Sequence, residues 1–139
     1  MSDTEKEVPN GSSTGNHILQ SQRFPASERL RKDKEIQELF EKGSSFFLYP
    51  YKVMYRIHAK PSVKMPAVLI SVSKKYFKKA VDRKWMIRRI REAYRLNKNT
   101  FFSKPHKFAS IAFISVAKQK ESYAFLEKKM IELLQKLVK

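Results

Sequence analysis

Apolar residues recur along the chain with two different spacings, and the switches between them outline its elements. Between Asp33 and Lys42, Ile36, Leu39 and Phe40 fall on one helical face. Asp33 is placed to cap the start of that helix, and Gly43 to end it in a left-handed conformation. From Lys52 to His58 the period drops to two, with Val53, Tyr55 and Ile57 on one side and Lys52, Met54, Arg56 and His58 on the other, which predicts a half-buried strand. After Pro61 and Pro66, the run from Ala67 to Val72 predicts a more deeply buried strand, expected to pair antiparallel with the first. A helical period returns from about Val81 to Asn97, and Ala109 to Val116 reads as another strand. A final helix, opened by Ser122 or its neighbours, carries Phe125, Leu126, Met130, Leu133, Leu134 and Leu137. The order is helix, two or more strands, helix, strand, helix. It predicts an α/β (α+β) two-layer sandwich in which helices pack on a small, mostly antiparallel sheet.

The amino end lacks either period. Residues 1–26 hold Gly11, Gly15 and several Ser, Thr and Asn, with too few apolar side chains to offset the entropy of ordering, so a flexible tail is expected there and a single domain over 27–139. The first residues carry acids where a secretory signal would carry bases, and no segment approaches the roughly 18 apolar residues of a membrane span. A cytoplasmic protein with no membrane partner is expected. The absence of cysteine removes disulfides, thiolate zinc sites and thiol nucleophiles together.

Charge changes the picture most. The chain has 30 Lys and Arg against 13 Asp and Glu, a formal net charge of +17. Three acids and two bases leave the tail at −1, so +18 belongs to the other 113 residues. An excess of that size opposes compaction through self-repulsion and points to a polyanionic partner. It is densest between Ser71 and Arg95, where ten bases (Lys74, Lys75, Lys78, Lys79, Arg83, Lys84, Arg88, Arg89, Arg91, Arg95) meet only Asp82 and Glu92. At about 100° per residue, Lys84, Arg88, Arg91 and Arg95 lie within an arc of roughly 60°. Met86, Ile90, Ala93 and Tyr94 gather on another side, with Ile87 bordering it, so the helix is expected to pack by one face and bind phosphate by the other.

Nothing in the chain resembles a self-contained catalytic centre. His17, His58 and His106 are scattered without metal-ligand spacing, the acids lie mostly along amphipathic helices, and the three glycines form no phosphate loop. No catalytic residue is expected in this chain, and no metal held by it.

Three stretches, Phe24 to Lys32, Ser71-Val72-Ser73-Lys74-Lys75, and Ala80-Val81-Asp82-Arg83 leading to Arg88-Arg89-Ile90-Arg91-Glu92-Ala93-Tyr94-Arg95, resemble the bacterial ribonuclease P protein component in the expected order. The resemblance implies a left-handed βαβ crossover, against the right-handed norm. It also implies a non-catalytic role in a holoenzyme that removes the 5′ leader of precursor tRNA, with Mg²⁺ held in the active site of the ribonuclease P RNA. The partners implied are that RNA and precursor tRNA, with no protein partner. The catalytic RNA would be met by Lys74, Lys75, Arg83, Lys84, Arg88, Arg91 and Arg95. A cleft between the first helix and the sheet would take the leader, lined by Ile36, Phe40, Val53, Tyr55, Ser71 and Ser73. The family's usual Arg-Asn-Arg is here Arg83-Lys84-Trp85, and Ile87 stands where a lysine is usual. An RNA-binding protein of ribosomal or assembly-factor type is the alternative on charge alone.

Overall fold

The computed structural model describes residues 24–138. Of the tail expected over 1–26, residues 1–23 lie outside the described residues, and Phe24 belongs to the domain. Its ring is buried in the core and meets Tyr94 edge-on at 5.5 Å. A 3-10 turn (Ala26–Glu28) precedes α1 (Asp33–Lys42), β1 (Ser44–Leu48), β2 (Tyr51–Ser62), β3 (Ala67–Val72), α2 (Ala80–Phe102), β4 (His106–Ser115) and α3 (Tyr123–Leu137). Ser122 caps α3, its side chain accepting from Phe125 N–H.

The strands form one sheet in the order β1-β2-β4-β3, antiparallel across the first two pairs and parallel across the last. The expected pairing of β2 with β3 is therefore corrected, because β4 lies between them. Ile111, Ala112 and Phe113 are all fully buried, which requires cover on both faces and suits a central strand. β3 reaches β4 through α2, the helical crossover that a parallel pair needs. Periodicity does not predict β1. Its Ser-Ser-Phe-Phe-Leu shows no clean alternation, and it is paired by the tight turn at Tyr49–Pro50, whose peptide bond is cis.

Alternation sorts the sheet into two faces. Tyr51, Val53, Val68, Val72, Ile111 and Phe113 join Met86, Ile90, Tyr94, Leu126, Met130 and Leu133 in the main core, so α2 and α3 cover this face. The Tyr51 hydroxyl donates to the Leu126 carbonyl at 3.0 Å, tying β2 to α3. On the other face Met54, Leu69, Ala112 and Ile114 meet Leu30, Leu39 and Ile36, which seats α1.

Asp33 is not the cap of α1. The capping position is Lys32, without a side-chain bond, and Asp33 sits inside the first turn, where its charge still complements the helix dipole. Gly43 is extended (φ −75°, ψ 155°) rather than left-handed. Glycine is needed there for space, since a Cβ would lie 2.4 Å from the Leu39 carbonyl oxygen and 3.0 Å from that of Tyr55. Gly43→Ala is expected to destabilise the protein by about 1–3 kcal/mol through overpacking, read as a lower urea midpoint; an unchanged midpoint would mean the end of α1 yields freely.

Candidate nucleic-acid interface

α2 presents the basic surface because its apolar residues have only the core to go to. Met86, Ile90, Ala93, Tyr94 and Phe102 are fully buried, which turns Lys84 and Arg88 out to solvent. Arg91, half-buried beside them, has its guanidinium held below its ordinary pKa by burial and then by the charges of Arg29 and Arg88. Its Nε is buried without a hydrogen-bond partner among the described residues. Lys84, Arg88 and Arg91 thus form one outward stripe, and Arg29, which periodicity does not place, adds a fourth cation from the segment before α1.

The other bases of this stretch do different work. Arg95 is held by Glu92 through two bonds of 2.9 and 2.6 Å, which raise the arginine's pKa and lower the carboxylate's. The expected four-residue run of like charge is therefore three residues flanked by an ion pair. Arg83 turns back and donates to the carbonyls of Phe77 (2.7 Å) and Lys78 (2.9 Å), so it anchors the turn into α2. Arg89 stacks on Trp85 with its guanidinium carbon 3.5 Å from the ring centroid, while Lys120 approaches the same ring at 5.0 Å and pairs with Asp82 at 3.2 Å. Trp85 is a platform joining α2 to the approach of α3. Lys74 and Lys75 are exposed on the turn after β3. Ser73 shapes that turn, its hydroxyl accepting from Lys75 N–H at 3.1 Å.

The cleft residues divide. Ile36 packs with the α1 seat, and Phe40 on the same flank of the helix is 43 % exposed. Ser71 shares the α1 side of β3 with Ala67 and Leu69. Val53 and Tyr55 do not belong here. Val53 is fully buried in the main core, and Tyr55 meets Phe46 and Phe108 edge-on at 6.4 and 5.5 Å on that same side. Their row is the most apolar of β2, so α2 and α3 take it, and α1 is left with Lys52, Met54 and Arg56. Beside Phe40 and Ser71, the open part of the α1 face is formed by Lys52, Ile114 and Phe47, the last 56 % exposed. Periodicity gives no sign of Phe47 because it gives none of β1. Lys52 is legible on the polar side of β2, but nothing local attaches it to a site.

Among the described residues no three His, Cys, Asp or Glu side chains converge as metal ligands. No described helix is long and apolar enough to cross a membrane.

By fold this is a small mixed-sheet α+β protein, and its surface carries a stripe of basic side chains on α2. The family model of ribonuclease P matches residues 24–138, nearly all of the domain. The ribonuclease P protein component of Porphyromonas gingivalis is 38% identical over 107 residues, covering 75% of this chain and 78% of that protein. Among solved structures, the ribonuclease P protein of Thermotoga maritima superposes with a TM-score of 0.63 at 26% identity, covering 78% of this chain and 96% of that one. That of Staphylococcus aureus, at 22% identity and a TM-score of 0.60, shares the fold; it covers 79% of this chain and 94% of its own. This chain belongs to the ribonuclease P protein family, whose members are parts of a tRNA-processing ribonucleoprotein.

One buried ion pair fixes the segment that carries Arg29. Lys98 of α2 is fully buried and bonds Glu28 at 2.5 Å, with its ammonium 5.9 Å from the Phe24 ring. Burial holds Lys98 below its ordinary pKa, against the opposing pull of Glu28. Glu28→Gln is expected to cost up to about 3 kcal/mol by leaving that charge without its carboxylate. Because Lys98 releases its proton more readily in the folded state than in the unfolded chain, the loss should shrink as pH rises towards the ordinary lysine range. Urea titrations at neutral and alkaline pH check both; a pH-independent loss would contradict the assignment.

Proposed function

We propose that this chain is the subunit through which the ribonuclease P holoenzyme grips its catalytic RNA and the 5′ leader of precursor tRNA. The observation that carries the reading is the outward stripe of Lys84, Arg88 and Arg91, backed by a fully buried helix face, in a chain of established family. Arginine's planar fork makes paired bonds to phosphate, and a helix anchored on one side holds such forks at fixed spacing. An RNA strand along the stripe would also relieve the repulsion among its cations.

The leader is assigned to the open upper part of the α1 face, where Phe40, Phe47, Lys52, Ile114 and Ser71 combine apolar surface with a cation and a hydroxyl. Unpaired bases stack on exposed rings such as those of Phe40 and Phe47, and Lys52 meets the backbone. Hydrolysis belongs in this reading to the RNA and its Mg²⁺; the protein binds and positions.

The test mixes protein, cognate RNA and precursor tRNA in every combination. The protein alone is expected to release no leader, and its addition to the RNA to lower the Mg²⁺ and salt required. Leader release without RNA would overturn this division of labour. Arg88→Ala with Arg91→Ala is expected to weaken binding to the catalytic RNA and reduce its logarithmic salt slope by about 2, one for each phosphate that is no longer neutralised. Phe40→Ala should cost about 1–3 kcal/mol on leader-bearing substrate and nothing on mature tRNA; equal losses on both would remove the upper groove from the leader's path.

A further inference from the structure

α1 runs across the strands rather than along them. It starts beside β3, just after Leu30 N–H donates to the Val68 carbonyl at 2.8 Å, and ends at Lys42, two residues before Ser44 pairs with Tyr55 of β2. It therefore divides its face of the sheet in two. Ile36 and Phe40 border the upper part, assigned above to the leader. Glu35 and Glu38 occupy the opposite flank and border a second groove of about 720 Å³, which shares Arg29 with the stripe and no residue with the leader's path.

The sheet contributes the small side chains of Ala67, Ala109 and Ser110 to the lining of this lower groove. Its walls carry five permanent cations, Arg29, Arg31, Lys32, Arg56 and Lys64, against the two carboxylates of Glu35 and Glu38. Of those carboxylates Glu38 is bonded, to Arg56 at 3.2 Å. Arg31, Lys32 and Lys64 form no ion pair among the described residues. Converging cations without internal partners oppose folding unless an anion joins them. Ile57, well exposed, and His58 add apolar and flat surface at the same rim, the mixture that suits a nucleotide better than a free anion. Arg29 lines the groove and stands close enough to α2 for its charge to act on Arg91, so it links the groove to the α2 stripe.

We propose that this lower groove binds the phosphodiester backbone of a single-stranded RNA segment, entering beside Arg29 and crossing Arg31, Lys32 and Lys64. The inference rests on the RNA-binding reading above and assigns a separate set of residues. The segment is either a continuation of the leader or a strand of the catalytic RNA, and the experiment separates the two.

Full-length protein is compared with three double variants: Arg31→Gln with Lys64→Gln in the groove, Lys104→Gln with Lys128→Gln on exposed positions outside it, and Arg88→Ala with Arg91→Ala on the stripe. The probes are an end-labelled single-stranded oligoribonucleotide, isolated ribonuclease P RNA, and precursor tRNAs with short and long leaders presented to the holoenzyme, each titrated over a range of KCl. The groove variant is expected to bind the oligoribonucleotide about tenfold more weakly than the charge-matched control and to lose about 1.4 from its salt slope, 0.7 for each of two single-strand phosphates. A loss confined to the long leader identifies the segment as leader, and a loss on the isolated RNA identifies it as a strand of that RNA; either supports the groove. If the groove and control variants behave alike while the stripe variant loses binding, the groove is overturned and the proposed function stands. If all three bind as the unaltered protein does, both fall.

Discussion

The seating of Leu39 is the contact on which the arrangement of this surface depends. A ten-residue helix is marginal in isolation, and α1 exists because Leu39 is buried completely against Ala112 and Leu30, with Met54 and Leu69 around it. That contact lies over the middle row of the sheet. It sends Ile36 and Phe40 to one flank of the helix and Glu35 and Glu38 to the other, so two grooves of different character follow from one seat. Gly43 completes the geometry by letting the chain leave the helix against the Leu39 and Tyr55 carbonyls and enter β1 at once.

A count of positive charge overstates the part of this surface that is available to a ligand. Arg83 is spent on two carbonyls of the preceding turn, Arg89 on the face of Trp85 and Arg95 on Glu92. Each use exploits a different property of guanidinium: several donors, planarity and a permanent charge. These internal contacts hold the turn and helix in place, and Lys84, Arg88 and Arg91 are displayed by what they hold. Three of the family's usual motif residues are altered within this same stretch; Lys84 joins the exposed stripe, and the other two have new neighbours. Ile87 joins the packed side of α2, and Trp85 gains two cationic neighbours.

Periodicity is informative wherever one face of an element is buried, which is why α2, α3, β3 and the first part of β2 are legible. It fails at β1, which has a short edge strand's weak pattern and is fixed by its turn. It also fails on pairing, because the central position of β4 is a property of the whole sheet and leaves only a continuous apolar run in the sequence. The cleft is half legible for a related reason. The two rows of β2 can be told apart by alternation, but which helix takes which row depends on relative apolarity, and Val53 and Tyr55 belong with the larger core. Arg29 and the lower groove have no local signal, since their partners come from four separate segments.

The strand order has a bearing on how the protein comes into being. β1 and β2 are neighbours in sequence and can pair as soon as both exist, but β3 has no strand partner until β4 has followed α2. A nascent chain that ends before β4 leaves β2 with an open edge and β3 without a strand partner. The strand that closes the sheet also supplies the floor beneath α1, through Ala112 and Ile114. A single strand thus serves both faces of the molecule, joining the main core beneath α2 and α3 and the smaller cluster beneath α1.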